Sequence, residues 1–267
     1  MKKLILICLG LLSFELRAFD FQEADSLFEK REQDTSSILR SRMLYEQALP
    51  SVSGHEYFYA VEQILRLDVY DALRIPDLKK TERQAPLERC LKAAEKLNPG
   101  QLKAENPHYY YWRTICTSYL VELLGTYEVF RKATQLFESA EKGLKIDDSY
   151  EGGGFHRILG CLYLKIPSIN PVGRAGNVHK AIEHFEKSLN SGAYRDSPHP
   201  ETDQGDYHFS THYYYASALL EAGRKSEAKG IVDSTIERIE SEDLPKGREP
   251  EARLALKWMV ELRAKII

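Results

Sequence analysis

The feature that most narrows the fold is a helix pattern that returns at a nearly fixed interval. A small or aliphatic residue is followed four positions later by an aromatic or aliphatic one, and three later again by a small one. The matches are Ser41/Tyr45/Ala48, Leu87/Leu91/Ala94, Ala133/Phe137/Ala140, Ala181/Phe185/Ser188 and Ala228/Val232/Thr235. Their first positions lie 46, 46, 48 and 47 residues apart. Positions i, i+4 and i+7 fall on one face of an α-helix, so each match reads as a buried stripe. A period of this length belongs to proteins built from stacked repeats. Nothing alternates like a strand for long, so the expectation is an all-α chain.

The spacing within each match resembles the second helix of a tetratricopeptide repeat, in which small residues let two helices approach and an aromatic fills the gap. A first helix is visible too: His156-x2-Leu159-Gly160-x2-Tyr163 resembles the W-x2-L-G-x2-Y pattern, with histidine for tryptophan. Pro99 falls where the repeat commonly closes. The departure is the period, since the standard repeat has ~34 residues. Longer first helices and inserted loops, above all 167–177, take up the surplus. HEAT-like pairs, with periods closer to this one, are the structural runner-up. The resemblance implies a right-handed solenoid of about five enlarged hairpins, made of helices near 22–33 with 36–49, 54–73 with 82–97, 106–124 with 127–145, 154–165 with 176–191, and 206–222 with 225–242. A closing helix follows, with Leu254, Trp258, Leu262 and Ile266 on the face expected to cover the end of the stack.

Within that superfamily, residues 106–235 are similar to exported bacterial proteins related to the T component of TRAP transporter systems. The matching positions are Trp112, Gly154, Leu159, Gly160, Pro167, Gly173, Ala181 and Phe185. This resemblance implies a periplasmic assembly or ligand-handling component and no enzyme. The chain departs from it in having no lipoprotein box.

The address agrees with export. Lys2 and Lys3 precede an apolar run from Leu4 to Phe14, and Leu16-Arg17-Ala18 ends a more polar stretch. That is the layout of a secretory signal with cleavage after about Ala18, leaving 19–267 as a single repeat domain in the periplasm. The run is too short for a stable membrane span, which takes about 20 residues. Without residues 1–18 the chain keeps 34 basic and 39 acidic residues, a net charge of −5. No basic stripe remains to neutralise phosphates, so nucleic acid is excluded as a partner. Cys90, Cys116 and Cys161 also remain. Three thiols cannot all pair, so buried thiols are the first reading and a single bridge the second.

His208 and His212 stand four apart, as a zinc site on one helix face would need. Only His199, Asp203 and Asp206 could complete the ligand set. Counted back from Ala228, His212 instead takes the place of the repeat's packing tryptophan, as His156 does in the preceding repeat, with His208 one turn nearer the rim. Helix packing is therefore the expected role, and no cofactor is called for. Gly152-Gly153-Gly154 lacks the remainder of a phosphate loop and reads as a tight turn allowing close helix approach; Arg174 is an alternative anion contact. Asn177 can cap the helix after it.

The aromatic runs Tyr109-Tyr110-Tyr111-Trp112 and Tyr213-Tyr214-Tyr215 are the better functional pointers. Successive helix residues turn by ~100°, so three rings in a row cannot share one core stripe, and some must reach a groove. On the repeat register the concave wall carries Arg157, Cys161, Lys165, Tyr213, Ser217 and Glu221, with Tyr110 and Trp112 beside it. The resulting expectation is a non-catalytic binding or assembly module whose aromatic groove takes a protein, a peptide or a small apolar ligand. The alternatives are an accessory role in solute capture with a TRAP-type binding protein and, third, a metal-dependent hydrolase, although neither G-x-S-x-G nor H-E-x-x-H occurs.

Overall fold

A computed structural model describes residues 21–31, 34–74, 79–98, 100, 105–166, 176–193, 204–241, 244 and 249–266. Residues 1–18, expected to be a secretory signal, and Pro99, Pro167, Gly173, Arg174, His199 and Asp203 lie outside them. Among the described residues there are eleven α-helices and no strand: α1 Gln22–Glu29, α2 Thr35–Ala48, α3 Gly54–Leu73, α4 Lys80–Ala94, α5 Pro107–Leu124, α6 Thr126–Ile146, α7 Tyr150–Lys165, α8 Val178–Leu189, α9 Phe209–Glu221, α10 Lys225–Glu240 and α11 Glu249–Ile266. None is long and apolar enough to cross a membrane.

The starts of these helices are written locally. The Asn106 side chain accepts from the Tyr109 N–H at 2.9 Å, and Asn177 accepts from the Lys180 N–H at 3.0 Å. Each such cap contributes about 1 kcal/mol by satisfying an orphan donor of the first turn. α7 begins differently. Glu151 (φ 51°), Gly152 (φ 57°) and Gly153 (φ 69°) form a left-handed turn before the right-handed helix sets in. Glycine adopts this conformation without penalty, whereas Glu151 holds it at a cost of about 1–2 kcal/mol.

Each helix packs on the one before and the one after it. Contacts one step further along join α3 to α5, α5 to α7, α7 to α9 and α9 to α11, so these five helices make a continuous layer. The periodic residues of the even-numbered helices face it: Ser41, Leu87, Ala133, Ala181 and Ala228 are all fully buried, as are Tyr45, Phe137, Phe185 and Val232. Leu91 is the exception, half-buried on α4. Close approach depends on glycine in two pairs. A Cβ on Gly160 of α7 would come within 2.6 Å of the Phe185 ring of α8, and one on Gly143 of α6 within 2.1 Å of the Phe155 ring of α7.

Two features differ from the sequence reading. Cys90 of α4 and Cys116 of α5 form a disulfide with Cα atoms 5.8 Å apart, and among the described residues only Cys161 is a free thiol. The closing helix α11 buries Ala252, Ala255, Met259, Leu262 and Ile266, while Leu254 and Trp258 border a cavity instead of joining that stripe. α11 lies with one side against α9 and α10 and also returns to the start of the chain, where Arg31 donates to Glu251 at 2.7 Å. A helix with packing on two sides carries two apolar stripes, and the i, i+4 spacing of Leu254 and Trp258 belongs to the second.

Candidate functional site

The layer of odd-numbered helices borders a cavity of about 510 Å³. That is the size range of small-ligand sites. α3 contributes Val69 and Leu73, α5 Ile115 and Tyr119, and α7 Ile158 and Leu162, with Tyr214 of α9 and Leu254 and Trp258 of α11 facing them. The wall is mainly carbon because these helices must be apolar on both the packing side and the cavity side. That double demand explains the long aromatic runs.

Charged groups sit in this wall as pairs. Arg66 donates to Glu151 at 2.5 Å, and Lys165 donates to Glu122 at 3.0 Å while its ammonium lies 4.8 Å above the Tyr214 ring. Burial lowers the affinity of Lys165 for its proton, but Glu122 outweighs that effect and holds its pKa above the ordinary value. Burial pushes the Cys161 thiol up to about 11, so it stays protonated and is a poor nucleophile.

Arg157 is arranged otherwise. Only 7 % exposed, it sends Nη2 to the Tyr111 hydroxyl at 2.8 Å and to the Glu151 carbonyl at 3.3 Å. Its Nη1 is buried and makes no hydrogen bond. Burial raises the pKa of Tyr111, which keeps it a neutral phenol, so this partner holds the guanidinium without cancelling its charge. The left-handed turn is what aims these groups. It brings the Glu151 carbonyl to Arg157 and the Glu151 carboxylate to Arg66 from one residue. Gly154 lets the Tyr111 ring pass, since a Cβ there would sit 2.5 Å from it.

A second buried polar cluster centres on Glu62, which does not border the cavity. The Glu62 carboxylate of α3 accepts from Trp112 Nε1 at 3.2 Å, from the Tyr150 hydroxyl, and from His108 Nδ1 at 2.5 Å. Burial alone would raise the Glu62 pKa, but His108, Arg66 and Tyr150 more than offset this and hold it well down. Burial would likewise lower His108, and Glu62 reverses the sign and holds its pKa above the ordinary imidazole value. Trp112 joins the two regions, donating to Glu62 while its ring borders the cavity.

Of the residues singled out from sequence, the structure brings Arg157, Cys161, Lys165 and Trp112 together on the cavity. Tyr213, Ser217, Glu221 and Tyr110 lie off it. Tyr213 packs on Trp258, with ring centroids 5.5 Å apart, and it is the next residue, Tyr214, that faces the cavity. The Ser217 hydroxyl donates back to the Tyr213 carbonyl at 2.8 Å, and Glu221 is exposed at the end of α9. Tyr110 points away toward α6, giving its hydroxyl proton to Glu105 at 2.7 Å beneath Lys142. Tyr111, Glu151 and Arg66 were missed, although the buried acid of an E-G-G-G turn was a signal.

The two histidines do not share a site. α9 begins at Phe209, so His208 has non-helical backbone (φ −88°, ψ 79°) and borders the cavity. His212 turns elsewhere, with Nε2 3.0 Å from the Asp206 carbonyl oxygen. His156 packs on α8, its Nδ1 2.9 Å from that of His184. Among the described residues no cluster of three or more His, Cys, Asp or Glu is arranged to hold a metal.

No protein-family profile matches the chain, and no curated protein matches it.

Proposed function

We propose that this protein is an exported, non-catalytic helical-repeat module that holds a small, mainly apolar molecule in the cavity bordered by α3, α5, α7, α9 and α11. The single observation that carries this reading is the cavity itself: about 510 Å³, walled chiefly by carbon and large enough for one small ligand. The unbroken contacts among odd-numbered helices, with small residues buried at a 46–48-residue interval, support a right-handed solenoid of enlarged tetratricopeptide-like hairpins. The Cys90–Cys116 disulfide supports an oxidising compartment, in keeping with the secretory layout of residues 1–18.

Both tryptophans of the chain, Trp112 and Trp258, border the cavity, so intrinsic fluorescence reports occupancy directly. Titration with decan-1-ol, decanoate and decylamine should give a saturable change in tryptophan emission with at least one of them. If none does, the small-ligand reading fails. A cavity of small-ligand size also favours solute handling over assembly of large partners, which suits the second reading, an accessory of a TRAP-type solute-binding protein. Co-purification with such a protein from native periplasm tests it, and repeated absence removes it.

A further inference from the structure

The cavity is apolar by area but not neutral in charge. Among the described residues three carboxylates border it, and each has its own cation: Glu151 has Arg66, Glu122 has Lys165, and Glu251 has Arg31. That leaves Arg157. Its guanidinium is held by a neutral phenol and a backbone carbonyl, the residue borders the cavity, and it is more than nine-tenths buried with Nη1 making no hydrogen bond. A charge taken out of water and left without a counter-charge costs several kcal/mol, so this arrangement is stable in company with an anion.

Resting on the binding role proposed above, we infer that Arg157 anchors the head group of a monoanionic ligand, a carboxylate borne on an elongated apolar body. The body lies against the carbon wall that includes Ile115, Ile158, Leu254 and Trp258. One unmatched positive charge calls for one negative charge. A doubly charged phosphate would bring a second charge that the wall, with its other cations already paired, does not answer. A neutral alcohol can accept a hydrogen bond but leaves the guanidinium charge unmatched. A planar carboxylate accepting from an arginine N–H is among the stronger hydrogen-bonded contacts a protein offers. Tyr111 and Glu151 are positioning residues here: they occupy Nη2 and leave Nη1 as the donor without a partner.

The test compares decanoate, decan-1-ol and decylamine at neutral pH by tryptophan fluorescence, on the wild-type protein and on Arg157→Gln. The wild type should bind decanoate at least about tenfold more tightly than decan-1-ol, and decylamine most weakly. Arg157→Gln should lose that tenfold preference, and helical circular dichroism and a urea midpoint like those of the wild type show that the variant is folded. If the wild type binds decanoate no better than the alcohol, the anchor is wrong while the cavity reading stands. The anchor is equally wrong if the preference survives in Arg157→Gln. If none of the three binds the wild type, both readings fall. Should Arg157→Gln not fold, the wild-type ratio decides alone.

Discussion

Two buried charges lie on either side of Trp112, and the protein treats them in opposite ways. Glu62 is surrounded: His108, Trp112 and Tyr150 all direct donors at it from α5 and α7. Arg157 is held through Nη2 alone, and its buried Nη1 makes no hydrogen bond. Both are charged groups on odd-numbered helices, and both are more than nine-tenths buried. A buried ion whose partners are all internal fixes how helices sit against one another. A buried ion that borders a cavity and keeps one donor unpartnered reserves that donor for something that arrives. The first is architecture and the second is recognition, and separate substitutions should tell them apart.

The largest effect is expected at Glu62. Glu62→Leu removes the acceptor and strands three buried donors, which should cost about 3–5 kcal/mol in urea unfolding. The pair also sets a pH window. The Glu62 pKa is held below its ordinary 4.5, so its contribution is present above pH 4.5 and is lost as pH falls below that. The His108 pKa is raised above its ordinary 6.5, so its contribution is present below pH 6.5 and is lost as pH rises through the raised value. The stability difference between wild type and His108→Gln should therefore be greatest between about pH 4.5 and 6.5. A difference that grows steadily above pH 7 would contradict this.

The same neighbourhood carries the Cys90–Cys116 bridge between α4 and α5, which closes a loop 26 residues in separation. Replacing both cysteines by alanine should lower stability by about 3 kcal/mol on the chain-entropy account. Ligand affinity should not change, because neither residue borders the cavity. A double variant of normal stability would mean the bridge is not formed in the protein.

What was legible in the sequence follows from locality. The stripes at Ala133/Phe137/Ala140 and Ala181/Phe185/Ser188 are short-range patterns on single helices, and the spacing reveals them. The Glu62 cluster is not readable that way, since its partners lie 46, 50 and 88 positions away. Such a cluster exists only once α3, α5 and α7 are side by side. The cavity wall was half legible. Counting along α7 brought Arg157, Cys161 and Lys165 together, whereas on α9 the count chose Tyr213 over Tyr214. A one-residue slip turns a side chain by ~100°, and α9 begins after His208, so the register had no fixed origin. The role of α11 was hidden for another reason. Its second apolar stripe has the same spacing as a core stripe, and nothing in one helix tells which side faces a cavity.

A smaller effect should follow from Gly154→Ala. The added Cβ would meet the Tyr111 ring at 2.5 Å and the Glu151 Cβ at 3.1 Å. Relief requires the ring or the left-handed turn to move, at about 1–3 kcal/mol. Because Tyr111 holds Arg157, the decanoate preference should fall while decan-1-ol binding changes less. Loss of both affinities together would assign Gly154 to the cavity wall as a whole and not to the anchor.

The smallest stability change is expected where the binding change is largest. Arg157→Met keeps the length and apolar stem of the side chain and removes a charge that no internal carboxylate answers. Two neighbours lose a donor, the Tyr111 hydroxyl and the Glu151 carbonyl. Their loss is offset by ending the desolvation of an unpaired guanidinium, and exchanges of buried ions for apolar groups of similar size are often neutral or stabilising. Unfolding in urea should therefore place Arg157→Met within about 1 kcal/mol of the wild type, against the several kcal/mol expected at Glu62. Adding decanoate should raise the stability of the wild type, which binds it through Arg157, by more than that of the variant. A loss of about 3 kcal/mol or more in ligand-free Arg157→Met would put this arginine in the same class as Glu62. It would then be a structural ion whose open face happens to line a cavity, and the distinction between the two sides of Trp112 would collapse.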